Sequence, residues 1–199
     1  AFNNTPAPVC LRCNTLVADR DALMRNLEEA GAVVHPSQWS KDGIVCDKLP
    51  ALSNVFSRLK RDFYIQDESS MLVAEVLAPQ PGEKIVDMCS APGGKTTHIA
   101  EKMGDKGEIL AGDIHEHKIK LIEENASRLG ITIIKAQQRD ASVYDECLAG
   151  KADRVLVDAP CSGLGVLRRR AEARWRKTRA DIRPLPKLQL QILENGARY

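Results

Sequence analysis

The sequence has no run of about 18 or more apolar residues, the length that a bilayer-spanning helix needs, so nothing in it reads as a membrane span. Its opening, AFNNTPAPVC, has neither the basic start nor the apolar middle of a secretory signal, and a cytoplasmic location is the default expectation. Internal repeats and low-complexity tracts are missing too. The six cysteines, at 10, 13, 46, 89, 147 and 161, are scattered through a chain of ordinary composition, which argues against a disulfide framework and predicts reduced thiols. Cys10 and Cys13 form one C-x-x-C, but no second pair and no suitably spaced His pair completes a zinc set. They read as strand cysteines, and no metal is expected. Strong charge of either sign is lacking as well, since 29 Lys and Arg stand against 27 Asp and Glu.

What the chain does have is 43% apolar residues in 199, enough for one good core, or for one core with a small satellite domain. Its charge is unevenly placed. Residues 168–183 hold eight Lys and Arg against Glu172 and Asp181, while the remainder holds 21 basic and 25 acidic residues. Such a strip suits a phosphate-bearing partner; a solvated helix face is the competing reading.

Periodicity divides the chain. A strand at 9–13, a helix at 19–30 with Leu23, Leu27 and Ala30 on one side, a strand at 32–35 and a strand at 44–46 after the Asp42-Gly43 turn give a small β-α-β-β unit, expected to occupy residues 1–62. Trp39, Phe56, Phe63 and Tyr64 are expected as core or domain-interface aromatics, with base stacking as the alternative. A helix at 69–77 ends before Pro79-Gln80-Pro81-Gly82. Strands at 85–88, 108–112, 131–136 and 154–157, with helices at 96–103, 116–129 and 186–198, then predict a doubly wound α/β domain with a parallel sheet over residues 63–199.

Lys84-Ile-Val-Asp-Met-Cys-Ser-Ala-Pro-Gly-Gly-Lys-Thr-Thr97 is the candidate cofactor floor, a buried strand breaking into a Gly-rich turn and a helix. GxxxxGK[ST] fails because Cys89 stands where the first Gly belongs, and GxGxxG fails because Ala91-Pro92-Gly93-Gly94 does not supply it. Asp113 lies 19 residues beyond Gly94, where a doubly wound sheet offers a carboxylate to a ribose diol. A nucleoside cofactor without a pyrophosphate fits both facts and points to S-adenosyl-L-methionine. Asp140 and Asp158 also close strands on the same sheet edge; helix caps and loop residues are the plainer reading. Ala159-Pro-Cys-Ser-Gly-Leu-Gly165 presents Cys161 at a strand end, where an inert thiol is the alternative.

DMCSAPGGKTTHIAE, AGDIHEHKIKLIEENASRLGI and DAPCSGLGVLRRRAEARW resemble motifs of the Sun/Fmu (RsmB) family of S-adenosylmethionine-dependent RNA cytosine-5 methyltransferases. The resemblance implies a Rossmann-like methyltransferase sheet preceded by a small α+β, ferredoxin-like RNA-positioning domain. It implies that Cys89, Ser90, Ala91, Pro92, Gly93, Gly94 and Lys95 wrap the methionine part of the cofactor, that Asp113 binds the ribose hydroxyls, that Asp140 lies against the adenine, and that Asp158 sits near the methyl group and target base with Lys95 steadying it. Cytosine C5 is a poor nucleophile, so a thiolate first adds to C6 and pushes electron density to C5. In that family the cysteine at the position of Cys161 assists product release, and the attacking cysteine comes from a later Thr-Cys-Ser strand. No Thr-Cys pair occurs in this sequence. The expectation is therefore a fragment of a longer methyltransferase, its sheet lacking the last strands; Cys161 as the nucleophile and a noncatalytic RNA-binding or assembly protein are the competing assignments. An amino-methylating site is disfavoured, since its signature resembles Asp-Pro-Pro-Tyr. Arg168, Arg169, Arg170, Arg174 and Arg176 are expected to hold the phosphates of the RNA, most simply ribosomal RNA, with Trp175 stacking or anchoring the strip.

Overall fold

The computed structural model describes residues 4–199, and for residues 52–54 and 56 the backbone alone. Phe56 therefore lies outside the described side chains. The first unit runs β1 (Val9–Cys13), α1 (Arg20–Glu29), β2 (Val33–Pro36), β3 (Gly43–Lys48), α2 (Leu52–Leu59) and β4 (Phe63–Ile65). These strands form an antiparallel sheet in the order β2-β3-β1-β4. The expected β-α-β-β pattern is present, extended by α2 and by β4, which sets Phe63 opposite Cys13. Three residues assigned by sequence to the second unit thus pair in the first sheet.

β1 is an inner strand covered on both sides, which its near-continuous apolar run anticipates. Leu11 and Cys13 pack with Leu23, Leu27, Ile44 and Phe63 under the α1 side. On the opposite face Cys10 joins Val45 and Met71. Met71 belongs to α3 (Glu68–Leu77), whose Ala74 packs into the core of the second unit. One helix is thus shared by both layers.

The second unit contains β5 (Lys84–Asp87), α4 (Gly94–Lys102), β6 (Glu108–Asp113), α5 (Glu116–Leu129), β7 (Ile134–Gln138) and β8 (Arg154–Leu156). Its sheet is parallel, in the order β7-β6-β5-β8. Alternation along β5 feeds two cores. Ile85 packs with Ile99, Met103 and Ile109, whereas Val86 packs with Leu110, Ile192 and Tyr199. The last three helices are α6 (Ala173–Arg176), α7 (Arg179–Ile182) and α8 (Leu185–Gly196). α8 covers the second face of the sheet, and its Gly196 lies so close that a Cβ there would sit 2.8 Å from Met88 Sδ.

Two boundaries differ from the sequence expectation for local reasons. β7 begins at Ile134 rather than at 131, because the Asp105 carboxylate takes the Thr132 N–H at 2.9 Å and the Ile133 N–H at 3.2 Å before the strand starts. α4 begins at Gly94, two residues early, so the second glycine and Lys95 lie in its first turn.

Candidate cofactor and catalytic site

The chain steps from β5 outward through β6 to β7 and then returns to place β8 on the other side of β5. That reversal opens a crevice above the carboxyl ends of β5 and β8. The Gly-rich turn follows β5 and the Asp158–Cys161 loop follows β8, so topology alone brings them together. The contact is an ion pair between Lys95 Nζ and Asp158 Oδ2.

The turn is fastened at nearly every residue. Ser90 N–H donates to Gly112 O at 2.8 Å, Gly93 N–H to Ser90 O at 2.8 Å, and Ser90 Oγ to Asp87 O at 2.8 Å. Asn125 of α5 reaches Pro92 O at 2.9 Å. Gly93 has φ +99, a left-handed conformation in which a side chain is strained, and a Cβ there would lie 3.3 Å from Ile122 Cα. At Gly94 a Cβ would lie 3.0 Å from the Tyr64 ring. The glycines are thus required by packing against α5 and β4.

Asp87, Thr96 and Thr97 were not singled out by sequence. The Asp87 carboxyl is 1% exposed, accepts from Thr96 Oγ1 at 2.7 Å, and its second oxygen is buried without a partner among the described residues. Burial pushes it up to about 6 against the bond from Thr96, and the charge of Asp158 adds to the rise. An acid ending an otherwise apolar strand was the available signal. Thr97 Oγ1 donates to Gly93 O at 2.8 Å.

The three strand-end aspartates have different surroundings. Asp113 is buried; its Oδ1 accepts from His115 N–H at 3.0 Å and lies 3.7 Å from Lys118 Nζ, while Oδ2 has no bond among the described residues. Asp140 is exposed and spends Oδ1 on Ser142, accepting from its N–H at 2.9 Å and its Oγ at 2.7 Å. That is loop-capping chemistry, the plainer of the two readings. The cleft it lines with Met88, Gly112 and Tyr199 measures about 20 Å³, too small for a purine. Asp158, half exposed, faces a cleft of about 230 Å³ with Ser90, Ala91, Pro92, Gly94, Lys95, Tyr64 and Gln66 on its walls.

All six cysteines are free. Burial, and then the charges of Asp87, Asp113 and Asp158, push the Cys89 thiol up to about 12, so it stays protonated and unreactive. Cys161 is exposed, and Pro160 O before it accepts from Gln189 of α8 at 2.8 Å.

The arginine strip divides. Arg168 donates to Thr5 O and Pro6 O, Arg169 pairs with Asp67 and reaches Pro8 O, and Arg174 reaches Asn4 Oδ1 at 2.9 Å. These three fasten the segment to the start of β1. Arg170 and Arg176 are exposed. Trp175 is 79% exposed, which removes its expected anchoring alternative. Trp39 corrects a second expectation: it is 68% exposed, on the β2–β3 turn, where its N–H donates to Ser37 Oγ at 3.0 Å. Phe63 is fully buried, and Tyr64 lies between the two units under the Arg12 and Arg128 guanidiniums.

One group among the described residues has metal-ligand spacing, Asp42, Glu75 and His98. The Lys102 ammonium sits 2.6 Å from Asp42 Oδ2 and 2.8 Å from Glu75 Oε1, so a cation is already supplied. Burial opposes ionisation of Asp42, but the bonds from His98 and Lys102 outweigh it and lower the carboxyl to about 2.

An antiparallel ferredoxin-like domain joined to a parallel α/β methyltransferase sheet, with a Gly-rich turn at its switch point, defines the class of this protein. Residues 74–198 match the family described as 16S rRNA methyltransferase RsmB/F, and residues 1–52 match the ferredoxin-like domain of RsmF/B-like methyltransferases. The chain belongs to the RsmB/F rRNA methyltransferase family. It is 42% identical over 193 residues to the probable ribosomal RNA small subunit methyltransferase B of Bacillus subtilis, covering 96% of this chain and 43% of that protein. It is 38% identical to the 28S rRNA (cytosine(4447)-C(5))-methyltransferase of Homo sapiens, covering 96% of this chain and 24% of that protein. The crystal structure of PH0851 superposes with a TM-score of 0.93 at 34% identity, covering 98% of this chain and 45% of that one. The chain thus spans less than half the length of these relatives. Among the described residues no helix is long and apolar enough to cross a membrane.

Proposed function

We propose that this chain carries the cofactor floor and the RNA-positioning domain of an enzyme that transfers a methyl group from S-adenosyl-L-methionine to C5 of a cytosine in ribosomal RNA. The observation that carries the reading is the Lys95–Asp158 pair, which joins the Gly-rich turn to the Asp-Ala-Pro-Cys loop across one crevice. Family membership supports it, and so do the names of relatives that act on rRNA cytosines.

The residues fit the cofactor in chemical kind. The N-terminus of α4 offers backbone donors to a carboxylate, and the open oxygen of Asp113 suits a ribose hydroxyl. Cys89 to Lys95 would hold the methionine part; Asp140, turned onto its own loop, is the weakest of the assigned contacts. The cofactor supplies the electrophilic methyl. The Asp158 carboxylate accepts from the exocyclic amine of the base, Lys95 orients that carboxylate through their ion pair, and Cys161 assists release after transfer. Of the five arginines expected to hold phosphate, Arg170 and Arg176 have side chains to offer, because Arg168, Arg169 and Arg174 are engaged within the fold.

Ultraviolet cross-linking with methyl-labelled S-adenosyl-L-methionine should label a peptide within residues 88–97 or 158–161. Label confined to the small domain would overturn the reading. Incubation with RNA containing 5-fluorocytosine should leave no covalent adduct on the 199 residues, because the attacking cysteine is not Cys161. An adduct that disappears in Cys161→Ser would reverse that assignment.

A further inference from the structure

Arg12 is fully buried on β1, the inner strand of the small domain, yet its guanidinium is spent on the other unit. Nη1 donates to Gly94 O and to Gln66 Oε1, and Nη2 to Thr97 Oγ1 at 3.0 Å and to Glu101 Oε1 at 2.8 Å. Thr97 Oγ1 in turn donates to Gly93 O at 2.8 Å. Gly93 O already accepts the Thr97 N–H at 2.9 Å within the helix; the small domain adds a second hold on both carbonyls of the glycine pair, on Gly94 O directly and on Gly93 O through a hydroxyl. The peptides following Gly93 and Gly94 are trans, so each C=O is antiparallel to the N–H across its bond. Fixing the oxygens of Gly93 and Gly94 fixes the N–H directions of Gly94 and Lys95, the first donors of α4. Gln66, held by the same guanidinium, lines the 230 Å³ cleft that those residues share with Asp158.

We propose that Arg12 is a positioning residue for the cofactor turn, so that the donors at the N-terminus of α4 take their orientation from the docked small domain. The proposal rests on the reading of that turn as the cofactor floor. Arg12 touches no reacting atom. It acts through two carbonyls, a threonine hydroxyl and Gln66, and a lysine, with one ammonium in place of a planar fork, cannot serve four acceptors in these directions.

The test compares S-adenosyl-L-methionine binding by calorimetry in the full chain and three variants. Arg12→Met removes the clamp, Thr97→Val removes the hydroxyl that accepts from Arg12 Nη2 and reaches Gly93 O and Gly94 O, and Asp42→Asn weakens the domain joint further along α4 at His98 and Lys102. Arg12→Met should weaken binding about tenfold or more, and Thr97→Val several-fold, by the worth of charge-assisted hydrogen bonds. Asp42→Asn should stay within about twofold, since it lowers stability without touching the turn. Unchanged affinity in both Arg12→Met and Thr97→Val, or equal weakening in Asp42→Asn, would overturn the proposal. If Arg12→Met does not fold, Thr97→Val against Asp42→Asn decides. If the unaltered chain binds no cofactor, the cofactor reading fails, and amide exchange at Gly93 and Thr97 judges Arg12 separately: faster exchange in Thr97→Val than in Asp42→Asn supports the clamp, and equal exchange rejects it.

Discussion

At the residue scale, close packing constrains Gly94 and burial constrains His98. A methyl at Gly94 would meet Tyr64 Cε1 at 3.0 Å, and Tyr64 itself is held by Arg12 and Arg128 over its ring. Gly94→Ala should therefore cost about 1–3 kcal/mol in urea unfolding, the overpacking penalty, against the gain of up to about 1 kcal/mol that alanine brings to an unconstrained helix. His98 is fully buried; its Nε2 lies 2.9 Å from Asp42 Oδ2 and its Nδ1 has no partner among the described residues. Burial lowers the ring to about 4 despite the bond from Asp42. The unfolded chain binds the proton first, so stability is lost as pH falls from about 6.5 towards 4, with a limiting slope near 1.4 kcal/mol per unit. Asp87, raised to about 6, works in the opposite sense, its contribution being lost as pH rises through 6. The discriminating measurement is the difference between the unaltered chain and His98→Gln: the variant should lose the His98 part of the slope between pH 4 and 6.5. Among single residues the motif was legible and the buried support beneath it was not. Cys89–Lys95 and Asp158 carry a recognisable pattern, whereas Arg12 on a strand reads as a solvated charge until its partners, 54 to 89 positions away, are known.

At the scale of elements, β1, α1, α5 and the alternating order of the second unit were legible because long runs keep one period. α2 and β4 were not. β4 has three residues, and only its non-local pairing with β1 makes it a strand. α8 was anticipated as a helix, but its role was not: Gln189, Gln191 and Asn195 fasten the loops after β8 and β7 by bonds to Pro160 O, Ser142 O and Ala141 O. Gly196 makes that docking possible. Gly196→Ala would put a methyl 2.8 Å from Met88 Sδ and 3.0 Å from Val157 Cγ2. The helix should lift at its C-terminal end, and hydrogen exchange should quicken at Gly150 and Ala152, whose amides bond to Arg198 O and Tyr199 O. Unchanged protection at those amides would show that α8 docks through other contacts.

For the whole molecule, the two units are joined by buried polar contacts that neither satisfies alone. Asn14 Nδ2 donates to Arg61 O at 2.8 Å and to Leu129 O at 2.9 Å, and Arg12–Glu101 and Asp42–His98–Lys102 complete the joint. Breaking a buried pair by removing one partner costs about 3–5 kcal/mol, so the units should unfold together, with Arg12→Ala lowering the single transition by that order. Separate transitions by tryptophan fluorescence and far-ultraviolet circular dichroism would argue against the joint. The coupling places the turn proposed to hold the cofactor in contact with the domain proposed to position RNA, which no reading of either motif alone reveals. The most direct test of the proposed cofactor site is calorimetric titration of S-adenosyl-L-methionine into the 199-residue chain beside Asp113→Ala. The predicted result is saturable heat at one site per chain, weakened about tenfold or more in the variant. Absence of heat from folded protein, or equal affinity in Asp113→Ala, would contradict it.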